Sequence, residues 1–212
     1  TKRLNMNLKH ALLLCGLIFS CTQVFATVGG GQTLEFLGYD AKDQKLYLLR
    51  DFEDGRGRLP QLYYYQFNRN KTEPKLVEVK SLYINPKTQK IDYDQVGTQF
   101  EKELNKIKKR LKPLTAQNLK GTQLHIVKNT IKKVPDIYEP SNKVPQYHYQ
   151  YQVSSGQYRS QTHTAISYKP DLKIDQAFLI PNQPYKVVSI QYLAFPEESG
   201  YTTEDPVLLG RK

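Results

Sequence analysis

The chain has no tryptophan, one methionine and two cysteines in 212 residues. Both cysteines, Cys15 and Cys21, fall within the first 26 positions. Everything after them must hold together without disulfides and cannot use a thiolate as nucleophile or metal ligand. Long hydrophobic runs are also missing. The longest, Ala11 to Phe19 (ALLLCGLIF), is far short of the roughly 20 residues that span a bilayer, so no transmembrane segment is expected. No Gly-x-Ser-x-Gly elbow, no glycine loop leading to Lys-Ser/Thr and no His-x-x-x-His pair occurs, so the sequence supplies no catalytic motif, no metal site and no cofactor site. Ser154-Ser155-Gly156 reads as an ordinary turn.

What is present begins with an export signal. Met6 reads as the start, with Thr1 to Asn5 upstream of it. Lys9 gives a positive flank, Ala11 to Phe19 the apolar stretch, and Val24-Phe25-Ala26 the small residues at the last and third-last positions before a cut. Residues 1–26 are therefore expected to be removed, leaving 186 residues that begin at Thr27, exported to the periplasm or secreted. The alternative is a lipoprotein cut at Ile18-Phe19-Ser20-Cys21, anchored through Cys21, although Phe19 fits that pattern poorly. Residues 27–33, with three consecutive glycines, read as a flexible lead-in to a single domain over 34–212.

Charge is unevenly spread. The full chain carries a net +11 and the mature chain +8. Residues 101–143 hold eleven basic and four acidic side chains, a net +7 on an otherwise nearly neutral body.

Apolar and aromatic stretches separated by polar turns predict strands near Leu34–Tyr39, Leu46–Arg50, Leu62–Phe67, Leu76–Ile84, Thr122–Thr130, Tyr147–Val153, Gln161–Tyr168, Gln176–Ile180 and Tyr185–Phe195. In Tyr147–Val153 strict alternation puts the tyrosines and Val153 on one face. Tyr63-Tyr64-Tyr65 must place one ring opposite the other two. The three prolines of Val134–Pro145 read as a loop, and the tail after Pro196 as polar with Tyr201 and Leu208-Leu209 as anchors. The turns Asp40–Leu46 and Asn85–Ile91 share Lys, Gln and Lys in the same places, which we read as convergent hairpin chemistry rather than a propeller repeat.

Val96, Phe100, Leu104, Ile107 and Leu111 have helical spacing. They predict one amphipathic helix over about 94–112, opened by a capping box at Thr98/Glu101 or Asp92/Gln95 and ended before Pro113. The expected fold is thus mainly β or α+β, with antiparallel sheets in a sandwich- or barrel-like arrangement and this helix packed on the sheet.

The function expected from these features is that of an exported, non-catalytic envelope or periplasmic protein binding an anionic surface or a partner protein. Lys102, Lys106, Lys109 and Arg110 fall on one strip of the helix away from its apolar stripe and are the candidate contacts for anionic lipid, lipopolysaccharide, an acidic glycan or an envelope protein. Export and the lack of a recognition motif argue against nucleic acid. The alternative is a hydrolase acting on envelope glycan from the acidic turn 51–58, which contains Asp51, Glu53 and Asp54. Two carboxylates converging on a cleft would favour it. His148 and His163, on neighbouring predicted strands, are expected to face each other across a hairpin, without a third metal ligand.

Overall fold

The computed structural model describes residues 30–53, 55–67, 74–195 and 201–212. The expected export signal, Cys21 and Asp54 lie outside them. The described part is mainly β. In chain order the strands are β1 (Gly31–Asp40), β2 (Lys45–Glu53), β3 (Gln61–Gln66), β4 (Leu76–Glu78), β5 (Thr115–Ala116) and β6 (Thr122–Pro135). They continue as β7 (Lys143–Ser155), β8 (Tyr158–Arg159), β9 (His163–Ser167), β10 (Lys173–Leu179), β11 (Tyr185–Tyr192) and β12 (Thr203–Arg211). The α-helix α1 spans Thr98–Lys108, and Lys80–Tyr83 form a single 3-10 turn where a strand was expected to continue.

The central sheet runs β4-β3-β2-β1-β12-β11-β10-β5. It is mixed, not purely antiparallel as expected, because β1 and β12 pair in parallel through Gln32 and Thr203. The cause is β12, formed where a polar tail is expected: the last strand returns beside the first and runs in the same direction. In a flat sheet of this order β3 and β11 would stand about 19 Å apart at ~4.8 Å per strand. Instead the rings of Phe67, just after β3, and Tyr185, at the start of β11, are 5.2 Å apart, and Phe36 meets Phe178 at 5.4 Å. The sheet is therefore curled into a half-barrel.

Strand alternation sorts the core into three clusters. Leu34, Leu46, Leu48, Tyr65, Val187 and Leu208 fill the concave side. On the convex side, Tyr47, Leu49 and Leu62 pack under Phe100 and Leu104 of α1. Val188, Ile190, Val207 and Leu209 pack under Tyr149, Tyr151 and Val153 of β7. Both expectations about tyrosines hold: Tyr149, Tyr151 and Val153 share the inner face of β7, and Tyr64 lies opposite Tyr63 and Tyr65.

The helix is shorter than expected. Its N-cap is Gly97, with no side-chain cap, so neither anticipated capping box forms. Val96 lies before the helix and is 83% exposed. The last turn tightens, Arg110 N–H donating to Ile107 O at 2.9 Å, and the chain then bonds β1: Tyr39 and Lys112 exchange both backbone hydrogen bonds at 2.9 Å. Gly38 allows this approach, because its φ is +140° and a Cβ there would lie 2.7 Å from Lys112 O. The two similar turns do share a mechanism. Asp40 accepts from the N–H groups of Lys42 and Asp43, Asn85 from those of Lys87 and Thr88, and Gln44 and Gln89 both take positive φ.

The expected loop 134–145 is a loop only over 136–142; Val134 and Pro135 end β6, and Lys143, Val144 and Pro145 begin β7. β6 and β7 pair continuously from Thr122↔Ser155 to Pro135↔Lys143, with a bulge between Ile126 and Lys128. Pro135 and Pro145 are tolerated because this ribbon is paired on few sides: β6 bonds only β7 among the described strands. Lys128, Lys132 and Lys133, the bulge and Pro135 also keep that long edge from pairing with a foreign strand.

The pairing of β12 forks. On one side it pairs β11 throughout. On the other, Thr203 meets β1 and Gly210–Arg211 meet β8, and no strand among the described residues pairs with the middle of β12. Pro206, which has no N–H to donate, sits in that gap, and Tyr65 OH donates to its carbonyl at 3.1 Å. As β1 leaves β12, the Leu34 N–H is met by the Glu204 carboxylate at 3.1 Å and the Leu34 carbonyl by the Gln176 amide at 3.2 Å. Side chains replace the ladder where the strands part.

Candidate functional site

Three regions carry chemistry: the helix strip, the β6–β7 hairpin and a cleft at the fork of the sheet. On the strip, Lys102, Lys106, Lys109 and Arg110 are all exposed. Two of them have partners. Lys106 pairs with Glu103 at 2.8 Å, one turn back on the same helix. Arg110 Nε donates to the buried carboxylate of Asp40 at 3.0 Å and its guanidinium lies 3.8 Å from Asp43. Burial pushes the Asp40 carboxyl up, but Arg110 and the N–H groups of Asp43 and Lys42 outweigh it and hold the group below its usual value. Lys108 reaches Glu35 at 3.6 Å. The end of α1 is thus tied to β1 and its turn by opposite charge.

The hairpin carries Lys120, Lys128, Lys132, Lys133 and Lys143, all exposed and none in an ion pair among the described residues. After the bulge, Lys128, Thr130 and Lys132 alternate onto the face of β6 that lies beside Gln150, His148 and Gln146 of β7. Ile126, Val127 and Ile131 remain exposed between the lysines.

His148 and His163 do not face each other. His148 pairs with Ile166 and His163 with Tyr151, so the two rings fall on opposite faces of the β7–β9 ladder. His148 Nε2 meets Gln146 Oε1 and His125 Nε2 meets Ser154 Oγ, each at 2.8 Å. No group of three metal-ligating side chains exists among the described residues.

The acids expected in a turn stand on a strand. Asp51 and Glu53 belong to β2 and share its convex face, with Glu35 of β1 diagonally opposite Asp51. Burial, then Glu35, pushes the Asp51 carboxyl up, with Lys108 opposing. Asp54 lies outside the described residues.

The cleft lies beside the middle of β12, between its pairings with β1 and β8. Its volume is about 440 Å³, and Arg50, Tyr65, Lys75, Tyr151, His163 and Asp205 contribute to its walls. Arg50 donates to Gln32 Oε1 and Asp205 Oδ1, both at 2.9 Å. Tyr192 OH donates to the other oxygen of Asp205. Burial, and then the Asp205 charge, pushes the hydroxyls of Tyr151 and Tyr192 upward. Burial pushes the His163 imidazole below its usual value, and Asp205 acts against that. His163, Tyr65 and Tyr151 stand out in the sequence, but Arg50, Lys75 and Asp205 do not. Arg50 ends an apolar stretch and Asp205 lies in an unread strand, so nothing local marked them as partners 155 positions apart. No helix among the described residues is long and apolar enough to cross a membrane. No protein-family model, no curated protein and no solved structure matches the chain.

Proposed function

We propose that this chain is an exported, non-catalytic binding protein that attaches to anionic phospholipid headgroups through its basic middle segment. The β6–β7 hairpin is the main contact, and Lys102, Lys106, Lys109 and Arg110 on α1 add to it. The observation that carries the reading is the set of five exposed hairpin lysines without ion-pair partners among the described residues. Each basic residue close to an anionic membrane contributes about 1 kcal/mol, so a ribbon of this kind gives reversible attachment. The exposed Ile126, Val127 and Ile131 between the lysines supply apolar contact at the headgroup boundary. The glycan-hydrolase alternative calls for two carboxylates converging on a cleft, whereas the cleft wall supplies one, Asp205, already held by Arg50 and Tyr192.

The test is cosedimentation of residues 27–212 with vesicles. Binding is expected to vesicles containing phosphatidylglycerol, to weaken as salt rises, and to be much weaker for phosphatidylcholine alone. Equal binding to both vesicles, or none to either, overturns the proposal.

A further inference from the structure

The cleft at the fork of the sheet has no part in surface attachment, yet it is built. Arg50 is almost buried, its side chain 12% exposed, and it is held from two sides by Gln32 and Asp205. Two of its five N–H donors are engaged there, which leaves three in a guanidinium whose position is already fixed. His163 Nε2 is buried and has no hydrogen-bond partner among the described residues. The ring itself belongs to the cleft wall, beside Tyr151. Lys75 stands at the cleft wall, exposed and without an ion pair among the described residues. Asp205 is engaged by Arg50 and Tyr192, so its charge is matched and Lys75 leaves the wall with a surplus positive charge.

We infer that this cleft binds a small organic anion, with a carboxylate of the ligand against Arg50 and Lys75 and the His163 ring in the wall beside it. The topology supports a ligand here. The middle of β12 has no strand partner on this side among the described residues, so the walls come from three parts of the chain and a space remains between them. A volume of about 440 Å³ is within the range of small-molecule sites and accommodates a sugar acid. Pro74, Leu76 and Pro206 provide the apolar part of the wall. Arginine presents a planar fork that matches a carboxylate, which lysine does not.

Glucuronate and glucose make a matched pair of probes, since they share a ring and differ by the carboxylate. Isothermal titration calorimetry of residues 27–212 is expected to show saturable 1:1 binding of glucuronate, with glucose at least about tenfold weaker, as loss of a charge-assisted contact implies. Lys75→Gln, at an exposed position, is expected to weaken glucuronate by several-fold. Arg50→Lys keeps the charge beside Asp205 but loses the fork, and is expected to cost about tenfold. The His163 ring resonance reports the site directly. The groups around it are Asp205, Arg50, Lys75 and Tyr151, and an added carboxylate favours the imidazolium, so its titration midpoint rises when glucuronate is present. No saturable heat with glucuronate, equal affinity for glucose, or a His163 midpoint unmoved at saturating glucuronate each overturns the inference. None of the five hairpin-segment lysines lines the cleft, so a protein that fails to bind vesicles is still expected to bind glucuronate.

Discussion

Residues 101–143 place six cations on or just after α1 and five on or beside the β6–β7 hairpin, in one continuous basic segment. On the helix, Lys106, Lys108 and Arg110 meet Glu103, Glu35, and Asp40 with Asp43. On the hairpin no such pair forms among the described residues. Glu35, Asp40 and Asp43 lie more than sixty positions before their partners, so the fold brings the counter-charge from elsewhere. A charge excess counted along the chain therefore overstates what the helix offers to a partner. It describes the hairpin better, whose outer strand β6 bonds only β7 among the described strands and is exposed along most of its length. The same contrast holds for apolar residues: Phe100 and Leu104 are buried beneath α1, while Ile126, Val127 and Ile131 are exposed on β6.

The sharpest test of that contrast is stability. Leu104 packs with Phe100 against Tyr47, Leu49 and Leu62, so Leu104→Ala is expected to destabilise by about 2–5 kcal/mol in urea unfolding. An unchanged midpoint would mean that α1 contributes nothing to the core and that the two regions are equally detached.

Binding should divide the other way. Replacing Lys128, Lys132, Lys133 and Lys143 with glutamine is expected to remove most attachment to anionic vesicles, up to about 4 kcal/mol at roughly 1 kcal/mol per residue. The same change at Lys102, Lys106, Lys109 and Arg110 should remove less, because Lys106 and Arg110 already have partners. A helix set that matters more than the hairpin set would reverse the comparison.

Arg110 separates a structural cation from a binding one. Arg110→Ala strands the carboxylate of Asp40, which is 1% exposed, and is expected to cost about 1–3 kcal/mol. The pH dependence has a definite sign. The Asp40 carboxyl is held below its ordinary value in the folded state, so it contributes stability above its unfolded pKa and that contribution is lost as pH falls through the folded pKa. Without Arg110, burial counts for more, the folded pKa rises, the contribution shrinks and its loss begins at higher pH. Thermal melts of both proteins between about pH 3 and 7 check this, and parallel curves would show that Arg110 is only a solvated surface charge.

Much of the fold could be read from the sequence wherever one face of a strand or helix meets a core. The tyrosine alternation of β7 and the Phe100/Leu104 stripe were legible for that reason. β12 was not, since Glu204, Asp205 and Pro206 look like a polar turn. Glu204 is buried because it meets the Leu34 N–H, and Pro206 is tolerated because its side of the strand has no partner among the described residues. Both facts depend on residues about 140 to 170 positions away. The 134–145 segment is loop in its middle, with Pro140 in the turn, but the strands reach further than expected: Pro135 and Pro145, which would break a central strand, are accommodated in a ribbon whose β6 bonds only β7 among the described strands. The residues of the helix strip are exposed, but the ion pairs of α1 with β1 and its turn could not be seen locally. The cleft was invisible for the same reason, since Arg50, His163 and Asp205 converge only at the fork.

The smallest expected effect is the most discriminating for the hairpin. Ile131 is 58% exposed and stands opposite Tyr147 in the ribbon, beyond the buried stretch of Tyr149, Tyr151 and Val153. If the ribbon projects free of any partner, truncating this side chain removes little buried area. Ile131→Ala is then expected to change stability by no more than about 0.5 kcal/mol, the scale of surface substitutions, against the loss at Leu104. Urea unfolding at two protein concentrations is the measurement. A cost above about 1 kcal/mol would place Ile131 in a packed environment. If that cost also grew with protein concentration, the covering surface would be a second copy of the chain, because association then contributes to apparent stability by mass action. The exposed isoleucines would in that case be a dimer contact, and the lysines beside them would be less available to a membrane.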